Sequence, residues 1–192
     1  MTSYSPARAV SHRLEDLLSG LLAENSLPDD CANTAITGIA TDSREVLPGD
    51  LFIALNGLTV DGRTYINEAI ERGAVAVVAE ADESFSARNK GTVAIISLQN
   101  LTEHLSRIAG RFYGEPTENL TVIGVTGTNG KTSCSHLIAS LATTVGHKSG
   151  LIGTLGYGVY QQQEFELQQT GFTTPDAVQL QACMQKLQAD DC

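Results

Sequence analysis

The eleven residues from Val122 to Thr132, VIGVTGTNGKT, constrain this chain more than any other stretch. Val122, Ile123 and Val125 form a short β-branched apolar run, the composition of a strand buried on both faces. Gly127, Thr128, Asn129 and Gly130 break that run into a glycine-rich turn. Lys131 and Thr132 open the next segment, SCSHLIASLATTV, whose apolar residues recur at helical spacing. Strand, glycine turn, Lys-Thr and helix is the order that a phosphate-binding loop needs. The glycines let backbone N–H groups turn toward phosphate oxygens, and the helix N-terminus adds partial positive charge. Lys131 can reach the outer phosphates, and the Thr132 hydroxyl can sit on Mg²⁺. The general pattern G-x-x-x-x-G-K-[ST] has glycine where this chain has Val125, so the match is the shorter G-x-x-G-K-T form, Gly127 to Thr132. Its place between an apolar run and a helical pattern separates it from an exposed glycine turn with an incidental lysine. The candidate nucleotide-binding residues are Gly127, Thr128, Asn129, Gly130, Lys131, Thr132 and Ser133. Lys131 carries the catalytic role and Thr132 the metal.

Composition sets limits around this loop. The 192 residues can hold one medium domain or two small ones, and a hydrophobic fraction of 42% permits a core. A net charge of -10, from 12 basic and 22 acidic residues, argues against a duplex nucleic-acid binder, which needs a basic face. A nucleotide site is still compatible, because phosphate recognition is local. No apolar run is long enough to cross a bilayer, and the N-terminus lacks a continuous apolar stretch of the signal-peptide kind, so a cytoplasmic protein is expected. Cys31, Cys134, Cys183 and Cys192 show no metal-like spacing and read as reduced structural thiols.

Periodicity gives the rest of the plan. Leucines at 14, 17, 18, 21 and 22 predict an amphipathic helix over residues 11–24. Strands are expected at Ala35 to Ala40, Leu51 to Leu55, Ala74 to Ala79 and Val93 to Ser97. Helices are expected at Tyr65 to Arg72, stopped by Gly73, and at Asn100 to Tyr113. The polar stretch GEPTEN, Gly114 to Asn119, marks a boundary near residue 117. After it a βαβ unit is expected: strand Leu120 to Thr126, helix Thr132 to Val145, strand Lys148 to Ile152. GTLGYG then leaves the second strand. A last helix follows, with Thr174 as its cap, Pro175 in its first position and Asp176 favouring its dipole. The expected fold is α/β, with a small N-terminal domain over 1–117 and the start of a parallel phosphate-loop domain over 118–192. Two parallel strands cannot bury both faces of a sheet, so the second domain reads as incomplete and the chain as the N-terminal part of a longer protein.

Several stretches together resemble the Mur ligases of peptidoglycan synthesis, and the MurE type within them. They are TDSREVLPGDLFIAL (Thr41 to Leu55), DGRTYINEAIERGAVAVVAE (Asp61 to Glu80), FYGEPTENLTVIGVTGTNGKT (Phe112 to Thr132), GLIGTLGYG (Gly150 to Gly158) and TTPDA (Thr173 to Ala177). The MurF type shares the DSR and PGDLFIAL segments, while GTLGYG and FTTPDA resemble MurE. The resemblance implies an ATP-dependent ligase with Mg²⁺. It would join UDP-N-acetylmuramoyl-L-alanyl-D-glutamate to a diamino acid, meso-diaminopimelate or L-lysine, through an acyl phosphate. It implies a UDP-sugar-binding N-terminal domain in which Thr41 and Ser43 contact the substrate. Leu58, Thr59 and Val60 occupy a loop where many members have His-Gln-Ala, so backbone contacts carry over there. Thr173 and Thr174 match a Thr-Thr pair that touches the peptide or sugar. The family's metal-holding glutamate and histidine, its carbamylated lysine and its amino-acid-binding domain would lie beyond Cys192, so the chain by itself is expected not to complete the reaction.

Three alternatives stand beside this reading. A MurF-type portion would share the first segments. A phosphate-loop kinase or GTPase would need an aspartate after a later apolar strand, which this sequence does not offer. A non-catalytic UDP-sugar-binding fragment would keep the first domain's role alone.

Overall fold

A computed structural model describes residues 11–22, 27–57, 60–82, 85–161, 164–165, 167–168 and 175–192. Its chain contacts form two compact units, one ending at Phe112 and the next beginning at Tyr113.

The first unit is built on a five-stranded sheet. A short β1 (His12–Arg13), α1 (Leu14–Leu18), α2 (Asp29–Ala32) and β2 (Ala35–Ile36) precede it. The sheet strands are β3 (Gly38–Ala40), β4 (Asp50–Ala54), β5 (Ala76–Glu80), β6 (Ser86–Lys90) and β7 (Val93–Leu98), with α3 (Ile66–Glu71) between β4 and β5 and α4 (Leu101–Phe112) after β7. Strand order is β3-β4-β5-β7-β6. The first four in that order are parallel, and β6 is antiparallel to β7. Every residue of β4 is buried, as a central parallel strand requires. Phe52, Ala54, Val77, Ala79 and Ile95 share a core with Ala69 of α3. On α4, Leu101, Leu105, Ile108 and Phe112 are buried at helical spacing, and the helix packs on α1. Arg111 Nη1 donates to Leu17 O at 2.8 Å across that contact.

Three local readings change. The helix expected over 11–24 is only α1, because Ser19 adopts an extended ψ of 131° and Gly20 a left-handed φ of +66°. The strand expected at 35–40 is split at Thr37, whose N–H donates to Gly49 O, so β2 pairs with β1 and β3 joins the main sheet. Strand β6 was not expected: SARNK has no apolar alternation, and its strand form comes from pairing with β7 at a charged, exposed sheet edge.

The second unit contains α5 (Lys131–Thr144), β8 (Gly150–Gly153), β9 (Gly156–Gln161), β10 (Glu164–Phe165) and α6 (Ala177–Ala189). Its sheet is antiparallel in the order β10-β9-β8. The expected βαβ unit is therefore corrected. Residues 121–126 form no strand, and Val122 and Ile123 are 60% and 61% exposed. A strand needs hydrogen-bonding neighbours, and among the described residues none pairs with this run. GTLGYG does not lead away from β8. It turns back through Thr154 and Leu155, and Gly156 at φ +126° starts β9. Tyr157 and Val159 of β9 bury against Cys183 and Leu187 of α6. Gly150 lets α6 pack closely, since a Cβ there would come within 2.6 Å of Leu187 Cδ1 and the leucine side chain would have to move. The cap of α6 is Asp176, which accepts from Gln179 N at 2.7 Å while Gln179 Oε1 accepts from Asp176 N. Thr174 lies outside the described residues. Among the described residues no helix is long and apolar enough to cross a membrane.

Candidate functional site

The phosphate-loop residues gather at the start of α5. Gly127 and Gly130 have φ of +148° and +78°, the left-handed side that glycine adopts without a Cβ penalty. Gly130 is the N-cap of α5, and no side chain caps that end. Its first-turn N–H groups are thus available to an anion. Thr128, Asn129, Lys131, Thr132 and Ser133 are all exposed. The Lys131 ammonium donates to Gly127 O at 2.5 Å, so it lies over the loop. Ser135 Oγ donates to Thr132 O at 2.9 Å, which fixes the helix's first turn. Lys131 and Thr132 line a cleft of about 240 Å³ together with Val125, His136, Gly153 and Pro175. His136 was not singled out from the sequence. Its place four residues after Thr132, on the same helix face, is the signal that locates it.

The sugar-nucleotide candidates lie in the first unit. Strands β3 and β4 are adjacent and parallel, with Ala40 in register with Phe52. The segments that follow them, 41–45 and 55–63, therefore leave the same edge of the sheet, the carboxyl edge where parallel α/β sheets bind ligands. Thr41 is half-buried and Ser43 is 5% exposed. A 3-10 turn, Ser43–Glu45, carries Ser43, and Asp42 caps it by accepting from Arg44 N at 2.9 Å. Asp42 also accepts from the Arg44 guanidinium at 2.9 and 2.5 Å, and this bonding holds its carboxyl below the usual range. Ser43 Oγ donates to Glu68 Oε2 at 3.1 Å, and Glu68 Oε1 accepts from Arg72 Nε at 3.1 Å. Val60 is 54% exposed, and its carbonyl accepts from Gly57 N at 3.1 Å. Arg63 ties the end of that segment down through Asp61 and Asp82. Leu58, Thr59, Thr173 and Thr174 lie outside the described residues. Glu68 and Arg72 escaped the sequence reading, although their four-residue spacing on a helix is a recognisable ion-pair pattern.

Both halves of this arrangement match known proteins. Residues 35–113 match the family described as "Mur ligase family, catalytic domain", and residues 125–192 match the "Mur ligase middle domain". A UDP-N-acetylmuramoyl-L-alanyl-D-glutamate–2,6-diaminopimelate ligase of Coxiella burnetii is 45% identical over 150 residues, 78% of this chain and 30% of its own length. The protein of the same name from Ectopseudomonas mendocina is 44% identical over 161 residues, 84% of this chain and 32% of that protein. The chain thus spans about a third of the length of these relatives. Among solved structures, a ligase of that same name aligns with a TM-score of 0.65 at 23% identity, over 95% of this chain and 34% of the other. MurF from Acinetobacter baumannii aligns at 0.54 and 17%, over 93% and 33%. At these identities the structures speak for the fold, a mixed α/β architecture with a parallel sheet. The two family matches and the identity to these relatives show the family: the chain belongs to the Mur ligase family.

Proposed function

We propose that this chain is part of an ATP-dependent ligase that adds a diamino acid to UDP-N-acetylmuramoyl-L-alanyl-D-glutamate in peptidoglycan precursor synthesis. The names of the relatives favour 2,6-diaminopimelate over L-lysine as that amino acid. The single observation that carries the reading is identity of 45% over 150 residues, 78% of this chain, with a ligase of that name. Residues 1–117 serve as the UDP-sugar-binding domain, and residues 118–192 begin the ATP-binding domain. Thr41, Ser43 and the 58–60 loop serve as sugar-nucleotide contacts, and Thr173 and Thr174 as contacts to the substrate's peptide or sugar part. A cytoplasmic location goes with this reading, since its substrates and ATP would be met there.

The chemistry follows from charge. A carboxylate resists attack by an amine, and phosphorylation makes it reactive as an acyl phosphate. That step brings two anions together, so the site must offset their repulsion. The uncapped N-terminus of α5, the loop amides and the exposed Lys131 ammonium fit that task. Thr132 is the residue suited to hold Mg²⁺, which would supply further charge neutralisation when bound. Lys131→Met tests the loop. A fluorescent ATP analogue titrated into this chain with Mg²⁺ is expected to bind at least about tenfold more weakly to the variant, the cost of losing a charge-assisted contact. The melting temperature should stay unchanged, because the side chain is exposed. Equal affinity for variant and parent would remove the loop from the proposal.

A further inference from the structure

We infer that Glu68 is a positioning residue of the sugar-nucleotide site and acts through Ser43; this rests on the reading above that Ser43 faces the uridine-linked ligand. Ser43 is nearly buried, at 5% exposure. Its hydroxyl has one proton and two lone pairs. Glu68 Oε2 stands 3.1 Å from Ser43 Oγ. A carboxylate paired with a guanidinium is an acceptor only, so the serine must donate its single proton to Glu68. The other carboxylate oxygen takes a hydrogen bond from Arg72 Nε at 3.1 Å. Arg72 Nη1 in turn donates to Arg44 O at 3.2 Å. The Ser43–Glu45 turn is therefore fastened to α3 at two points, one residue apart, by Glu68 and Arg72.

This fixes what Ser43 can offer a ligand. With its proton committed, the hydroxyl presents lone pairs alone. It suits a donor group, such as a pyrimidine imide N–H or a ribose hydroxyl. It does not suit a phosphate oxygen, which brings no proton. Glu68 thereby selects the part of the sugar nucleotide that Ser43 meets. Sequence comparison of the DSR segment alone would not find this residue, because it lies 25 positions away on another element.

Isothermal titration of the 192-residue chain with UDP-N-acetylmuramoyl-L-alanyl-D-glutamate tests the inference. Ser43→Ala and Glu68→Gln are each expected to weaken binding about tenfold, the scale of one hydrogen bond to a charged partner. The double variant should be no weaker than the poorer single one, since both changes break one unit. Glu71→Gln, an exposed neighbour on the same helix, should bind like the parent. Losses that add in full, or an unchanged affinity of Glu68→Gln beside a weakened Ser43→Ala, would overturn the role of Glu68 alone. An unchanged affinity of Ser43→Ala, or no binding by the parent chain, would overturn the reading of Ser43 and this inference with it.

Discussion

Side chains that hold backbone turns carry much of the local order in the first unit. Asp42 caps the turn that bears Ser43 and clamps Arg44 at the same time. Arg44 hydrogen bonds hold its carboxyl below the ordinary range. A depressed folded-state pKa means that the contribution is present above the unfolded value, near 3.9, and is lost as pH falls through the folded value. Arg44 is largely exposed, so water screens the pair and the effect is small. Asp42→Asn is thus expected to lower the urea midpoint slightly at about pH 7, with variant and parent converging at about pH 2. Midpoints that differ equally at both values would show that the carboxylate charge is not involved. Asp50 works in a related way. It is 3% exposed and accepts from Leu47 N at 2.8 Å, which ties the Pro48-Gly49 turn to the start of β4.

Elements divide by how much of their apolar face is covered. In α4 the buried stripe is complete, and Ile108 is 0% exposed. In α5 only Ala139 is buried, while Leu137 and Leu141 are 63% and 67% exposed, and Val145 at its C-cap is 73% exposed. Ile108→Ala should therefore cost about 2–5 kcal/mol through lost packing and a cavity. Leu141→Ala should stay within about 0.5 kcal/mol, as for an ordinary surface change. Chemical denaturation of both variants checks the contrast, and a large loss at Leu141 would contradict the exposure of that face. The same contrast explains which elements the sequence makes legible. The runs LFIAL, AVAVVA and VAIIS are buried by neighbours within the chain, so their apolar composition reports their state directly. VIGV has the same composition and forms no strand, because composition records a need for neighbours and does not supply them. Strand β6 shows the converse, a polar run made into a strand by the partner beside it. Of the site, the glycine turn and Lys131-Thr132 were readable because their chemistry is encoded within six residues. The Ser43–Glu68–Arg72 set was not, since it joins two segments through a helix placed by the fold.

At the scale of the whole molecule, the first unit's strand order has a consequence for synthesis. The sheet runs β3-β4-β5-β7-β6, so β3, β4 and β5 are laid down side by side in the order in which they are translated. β6 breaks that order, because among the described residues its partner in the sheet is β7, and β7 comes later in the chain. A nascent polypeptide leaving the ribosome can zip the first three strands as it emerges, yet must hold Ser86–Lys90 unpaired until Leu98 is free. Polar, charged residues suit a segment that waits in water, and SARNK is such a segment. Stalled chains of increasing length should gain protease resistance in this region only once β7 has cleared the exit tunnel. Protection appearing before then would mean that the outermost strand finds another partner first.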